Sequence, residues 1–130
     1  MNRREYEKYL SEAYAVTGEK PWRDSPTNTV FRHFDNKKWF ALVMDIDKKH
    51  IGKGSGLVSV VNLKCDPLTI SSLLDGNGVH PAYHMNKEHW ITVELNEKTD
   101  EDLLFFLTAQ SFDLTSLKIK NRYSDNPPLT

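Results

Sequence analysis

Hydrophobic and polar positions along the chain change period several times, and each change marks an element. Residues 4 to 15 set Tyr6, Leu10, Ala13 and Tyr14 at spacings of three and four, which predicts a helix with one apolar face. Gly18 and Pro21 follow as stop signals, and WRDSPTNT reads as a loop. The period then becomes two. VFRHF and KWFALVMDI flank Asp35-Asn36-Lys37 and predict a hairpin, because Asp and Asn tolerate left-handed backbone angles. After the polar, glycine-rich DKKHIGKGSG comes a third strand, LVSVVNLK. Its Leu57, Val61 and Leu63 point one way, and Val58, Val60, Asn62 and Lys64 point the other.

Asp66-Pro67 reads as an N-cap followed by proline at the first helical position, where a missing N–H costs nothing. Ile70, Leu73 and Leu74 form the stripe of a short helix that Gly76 or Gly78 ends. HWITVEL is a further strand, with Ile91, Val93 and Leu95 on one face and Trp90, Thr92 and Glu94 on the other. Thr99-Asp100-Glu101-Asp102 then opens a last helix carrying Leu103, Phe106, Leu107 and Phe112. The class expected is α+β: an antiparallel sheet with helices at both chain ends packed on one face, a two-layer sandwich whose other face stays partly wet. Trp90 falls on that open face, partly accessible and near Lys64. One domain is expected over residues 1–118, followed by a polar tail over residues 119–130.

Composition narrows the function classes. With 38% hydrophobic and 11% aromatic residues the chain can build a core. A net charge of −1 excludes a uniformly basic nucleic-acid binder, so any such contact needs a local patch. The single Cys65 cannot close an intramolecular disulfide, no charged-then-apolar leader opens the chain, and no run approaches the ~18 apolar residues of a membrane span. A cytoplasmic monomer with no membrane partner is the expectation.

Candidate chemistry concentrates in VHPAYHMNKEHWITVEL, which holds His80, His84 and His89. Pro81 and the following strand break any helical pairing of these histidines as metal ligands, which leaves them as ordinary turn histidines bonded to backbone. DIDKKHIGKGSG has Lys49 and His50 where a calcium loop needs oxygen ligands and a turn glycine, and GKGS lacks the spaced first glycine of a phosphate loop. Asp66 beside Cys65 raises the thiol pKa, against a nucleophile. No cofactor, metal or catalytic residue is expected. Charge is more informative: Arg32, Lys37, Lys38, Lys48, Lys49, Lys53 and Lys64 outnumber Asp35, Asp45 and Asp47 across that stretch. They form either two solubilising hairpin tips or a basic surface for phosphates, with Trp90 or Tyr83 available for stacking.

Asn62-Leu63-Lys64-Cys65-Asp66-Pro67, then Val79 to Ile91 with its P-x-Y-H-x-N-K-x-H-W order, and the earlier Lys38-Trp39-Phe40-Ala41, together resemble the MmcQ/YjbR family. The likeness runs from about Gly18 to Leu117. It implies a frataxin-like (CyaY-like) fold and a DNA-binding protein of double-wing type, without catalytic residues to carry over. Frataxin's iron handling is not implied, since Glu5, Glu7 and Glu12 are interspersed with Arg3, Arg4 and Lys8. Two functions are therefore expected. One is DNA binding through Lys64, Lys87 and Trp90, aided by Lys37, Lys38, Lys48, Lys49 and Lys53. The other is a small-molecule or peptide pocket near Tyr83, His84, Asn86, Lys87, His89 and Trp90.

Overall fold

In the computed structural model, which describes residues 1–74 and 78–116, the chain runs α1 (Arg3–Tyr14), β1 (Thr29–Arg32), β2 (Trp39–Asp47), a 3-10 turn (Lys48–Ile51), β3 (Leu57–Lys64), α2 (Pro67–Leu73), β4 (Val79–Pro81), β5 (Trp90–Glu94) and α3 (Glu101–Leu114). The five strands pair antiparallel in the order β1-β2-β3-β5-β4. The α+β class with its antiparallel sheet is borne out. The expected polar tail lies outside the described residues. Among those residues no helix is long and apolar enough to cross a membrane.

α1 begins at a capping box, with Asn2 and Glu5 each accepting the other's backbone N–H. Its Tyr6 and Leu10 are fully buried, but Ala13 is exposed. Tyr9 packs in its stead, its ring stacked 4.4 Å from Phe105. The Tyr6 hydroxyl bonds Thr108 at 2.8 Å, and burial pushes that phenol so far up that it stays neutral. In α3 the expected stripe is turned: Leu104, Leu107, Thr108 and Ser111 are buried, while Phe106 is 62% exposed. Two of these inward residues are polar, so a hydropathy reading misplaces the face. Ser111 donates to the Phe40 carbonyl at 2.6 Å and accepts the Lys64 N–H at 2.8 Å, which ties α3 to β2 and β3 together.

The strand alternation read for β3 and β5 holds. Val61, Leu63, Ile91, Val93 and Leu95 join α1, α2 and α3 in the main core. The β1–β2 register steps from Phe31↔Ala41 to Arg32↔Trp39, leaving Phe40 as an extra residue. That bulge lets both Phe40 and Ala41 face the helices. The hairpin turn is left-handed at Lys37 (φ 62°), not at Asp35 or Asn36. Asn36 contributes differently, accepting from Lys38 N–H at 2.8 Å and donating to the Thr115 carbonyl at 2.9 Å. α2 closes at Leu74, whose N–H reaches the Ile70 carbonyl, before either proposed glycine; Gly76 lies outside the described residues. β4 is an edge strand that alternation missed, being three residues long and ending in proline.

The second sheet face, expected to stay partly wet, carries its own apolar cluster. Val30, Leu42, Met44, Ile46, Val58 and Val60 form a second apolar cluster, against which Trp22, Trp39, Ile51, Tyr83 and Met85 pack. The cover comes from irregular segments: the loop after α1, the 3-10 turn, and the β4–β5 loop. That last loop is bound to the sheet centre by Asn62, which is fully buried. Its amide donates to the Tyr83 carbonyl at 2.8 Å, and its oxygen accepts the Thr92 hydroxyl. Thr92 in turn accepts the Tyr83 N–H at 2.8 Å, closing a ring of three residues. Asn62→Ala leaves a buried carbonyl and a buried hydroxyl short of partners, and is expected to cost about 2–4 kcal/mol in urea denaturation. Hydrogen exchange at the Tyr83 amide should speed with it. A loss below about 0.5 kcal/mol, within the range of an ordinary surface change, contradicts this account.

Candidate functional site

The sheet register separates the lysines of the basic stretch. Lys64 sits opposite Trp90 at one end of the sheet. The hairpin bearing Lys37 and Lys38 is at that same end, because Ala41 pairs with Leu63 just beyond it. Lys48, Lys49 and Lys53 lie on the β2–β3 connection at the other end, roughly 25 Å away along β3. Trp90 is half-buried and beside Lys64, as alternation required. Asn86 shapes its loop, its carbonyl accepting from His89 and Trp90 N–H and its side chain accepting from Glu88 N–H. His89 is exposed and gives its carbonyl to Cys65 N–H.

Tyr83, His84 and Lys87 do come together. With His50, Ile51 and His80 they line a hollow of about 440 Å³. Asn86, His89 and Trp90 do not line it. The Tyr83 ring is flanked by His50 at 4.8 Å and His84 at 3.9 Å. His84 holds a left-handed backbone (φ 57°), a conformation a non-glycine residue keeps only where its surroundings impose it. On the other side of Tyr83 the surface continues as an open groove of about 550 Å³. Leu42, Met44 and Ile46 form its floor, and Trp22 meets Trp39 edge-on at 5.3 Å. Asp45 and Asp47 also border it, but both are already engaged. Asp45 pairs with Arg3 at 3.1 Å and accepts from Ser59 at 2.6 Å, while Asp47 caps the 3-10 turn by accepting Lys49 N–H at 3.0 Å.

The least foreseen feature is His80. It is not a turn histidine bonded to backbone. It stands on β4 opposite Thr92, buried, with Nε2 2.6 Å from Oε2 of Glu94. The same oxygen receives Lys53 Nζ at 2.9 Å, and Asn96 donates to the other oxygen at 3.3 Å. Lys53 is therefore occupied by a carboxylate instead of being open to phosphate. Burial alone would raise the Glu94 carboxyl, but the bonds and charges of His80 and Lys53 outweigh it and hold the group below the ordinary carboxylate range. Pairing Val79 with Val93 would have set His80 near Glu94, but the sequence offers no cue for so short a strand.

A depressed carboxyl pKa binds fewer protons folded than unfolded. Its stabilisation is complete above the unfolded value of a carboxylate and is lost as pH falls through the lower, folded value. Glu94→Gln should cost about 1–3 kcal/mol at neutral pH and flatten the loss of stability on acidification. Urea midpoints measured across the acid range check this, and parallel curves for the two proteins would contradict it.

Comparison with known proteins agrees with the architecture. The uncharacterized protein YyaQ of Bacillus subtilis is 36% identical over 116 residues, covering 88% of this chain and 98% of its own length. A crystal structure of a Pseudomonas syringae protein is similar with a TM-score of 0.86 at 44% identity, over 89% of this chain and 100% of that one. A Deinococcus radiodurans protein with a DUF419 domain aligns with a TM-score of 0.60 at 25% identity, over 87% and 79% of the two chains. The family model described as YjbR matches residues 11–114, most of the chain, and the chain belongs to the YjbR family.

Proposed function

We propose that this chain is a small-molecule-binding domain whose ligand carries a flat aromatic ring and an anionic group. The observation that carries the reading is the aromatic groove of about 550 Å³ on the second sheet face, a volume within the range of ligand sites. Trp22, Trp39 and Tyr83 offer faces and edges to a ring, above an apolar floor of Leu42, Met44 and Ile46. The acids at its border are engaged by Arg3, Ser59 and the 3-10 turn, whereas His50, His84 and Lys87 make no ion pair among the described residues. Ser25 and Asn28 add neutral polar groups to the groove and Asp47 keeps its charge, so the partner for a ligand anion is Lys87 in the adjoining hollow.

A second reading, DNA binding, is supported by Trp90 standing half-exposed beside Lys64, near Lys37 and Lys38. A nucleotide also combines an aromatic ring with an anion, so one experiment addresses both. Tryptophan fluorescence of the full chain is titrated with naphthoate, with adenosine monophosphate, and with single- and double-stranded oligonucleotides. The small anions should quench saturably, and Tyr83→Ala should weaken them about tenfold or more, ~1.4 kcal/mol. Lys64→Ala should leave them unchanged. No saturable quenching by any small anion overturns the groove reading. Oligonucleotides that bind far more tightly, with a steep salt dependence and a loss on replacing Lys37, Lys38 and Lys64, would establish DNA as the ligand instead.

A further inference from the structure

His80 lines the hollow that adjoins the groove, and nothing in ring binding requires a buried imidazole held by a carboxylate. A carboxylate oxygen only accepts, so the contact of 2.6 Å fixes the neutral tautomer: Nε2 carries the proton and Nδ1 the lone pair. Glu94 is itself fixed by Lys53 at 2.9 Å and by Asn96 at 3.3 Å, both of its oxygens being engaged. Among the described residues Nδ1 has no hydrogen-bond partner, and His80 lines the hollow of about 440 Å³ that also receives His50, Tyr83, His84 and Lys87. A base whose ring is oriented by a third group, beside a cavity that Lys87 also lines, is the arrangement general-base catalysis needs.

We infer that His80 is a general base in a hydrolytic site, acting on acyl esters of aromatic acids, with Glu94 as its positioning residue. The inference rests on the groove reading for its substrate. The aromatic ring lies against Tyr83, which borders both groove and hollow, with its carboxylate towards Lys87 at one end and the ester carbonyl towards His80 at the other. Nδ1 takes a proton from water as the water oxygen bonds to the acyl carbon. The bond from that carbon to the aryl oxygen then breaks, the aryl oxide leaves, and the proton passes from His80 to it. Acid and phenol are the products, and nothing is oxidised or reduced. The charged and titratable groups facing His80 are Glu94 from β5 and Lys53 from the β2–β3 connection on one side. His50, Tyr83, His84 and Lys87 face it across the hollow.

The probe is para-acetoxybenzoate, which holds ring, carboxylate and ester in one molecule. Its hydrolysis is followed with the full-length chain alongside quenching of tryptophan fluorescence by the product para-hydroxybenzoate. Hydrolysis should fall about 100-fold in His80→Asn while product binding persists, and His89→Asn, outside the hollow, should keep the wild-type rate. Glu94→Gln provides the test that does not depend on His80→Asn folding. Losing the carboxylate destabilises the imidazolium, so the rising limb of the pH–rate profile should move to lower pH and its plateau should drop. Saturable binding with a rate that is indifferent to His80→Asn, or equally reduced by His89→Asn, overturns the base and leaves the binding site standing. An unmoved pH profile in Glu94→Gln overturns it as well. Absence of saturable product binding overturns both readings.

Discussion

The buried ring of hydrogen bonds among Asn62, Thr92 and Tyr83 is the constraint on which the second face of the sheet depends. An antiparallel sheet with helices on one side has no intrinsic reason to cover the other. Here the β4–β5 loop is fastened at the sheet centre, because a fully buried asparagine must satisfy both its donor and its acceptor within the protein. Tyr83 is thereby set against the apolar strand residues, and His50 and His84 pack at a tilt against its ring. Without that fastening the loop would have only Met85 and Tyr83 to hold it by apolar contact, and the hollow beside His80 would lose a wall.

The helix layer uses the same device from the opposite side. Ser111 bridges the Phe40 carbonyl and the Lys64 N–H, at the place where the β1–β2 bulge and the end of β3 leave main-chain groups unpaired by strands. Thr108 links α1 to α3 instead, meeting the Tyr6 hydroxyl while donating to the Leu104 carbonyl of its own helix. Polar side chains thus reach the interior where another element supplies them a partner. The apolar residues drive collapse without direction, and these few polar ones fix which strand end meets which helix.

This division explains what could be read from the residues. Strands whose buried face alternates over five or more positions, β2, β3 and β5, were legible, since Val61, Leu63, Ile91 and Val93 leave no second register that keeps them inside. α3 was legible as a helix but not in its facing, because Thr108 and Ser111 occupy its inner stripe while Phe106 stands outside. The turn went to Lys37 because its neighbours Asp35 and Asn36 spend their side chains on backbone N–H groups instead. For the site, Tyr83, His84 and Lys87 were legible as a cluster close in sequence. Trp22, His50 and Glu94 were not, as each arrives from a different segment through tertiary contacts that no local pattern encodes.

Net charge near zero hides how unevenly the charges are engaged. Arg3 serves Glu7 and Asp45 at once, Arg32 serves Glu19, and Lys53 serves Glu94. The acids close to the second face are thus each matched or capping, and two groups among the cations not so matched lie beside a candidate surface. Exposed Lys37 and Lys38 and the half-buried Lys64 stand at one end of the sheet, screened by salt within about 8 Å at physiological ionic strength. Lys87 instead borders the hollow beside Tyr83 and His80, where protein replaces part of the solvent and the same charge acts more strongly on what enters. Equal formal charges therefore differ in consequence, because one group faces open solvent while Lys87 borders a hollow in the protein.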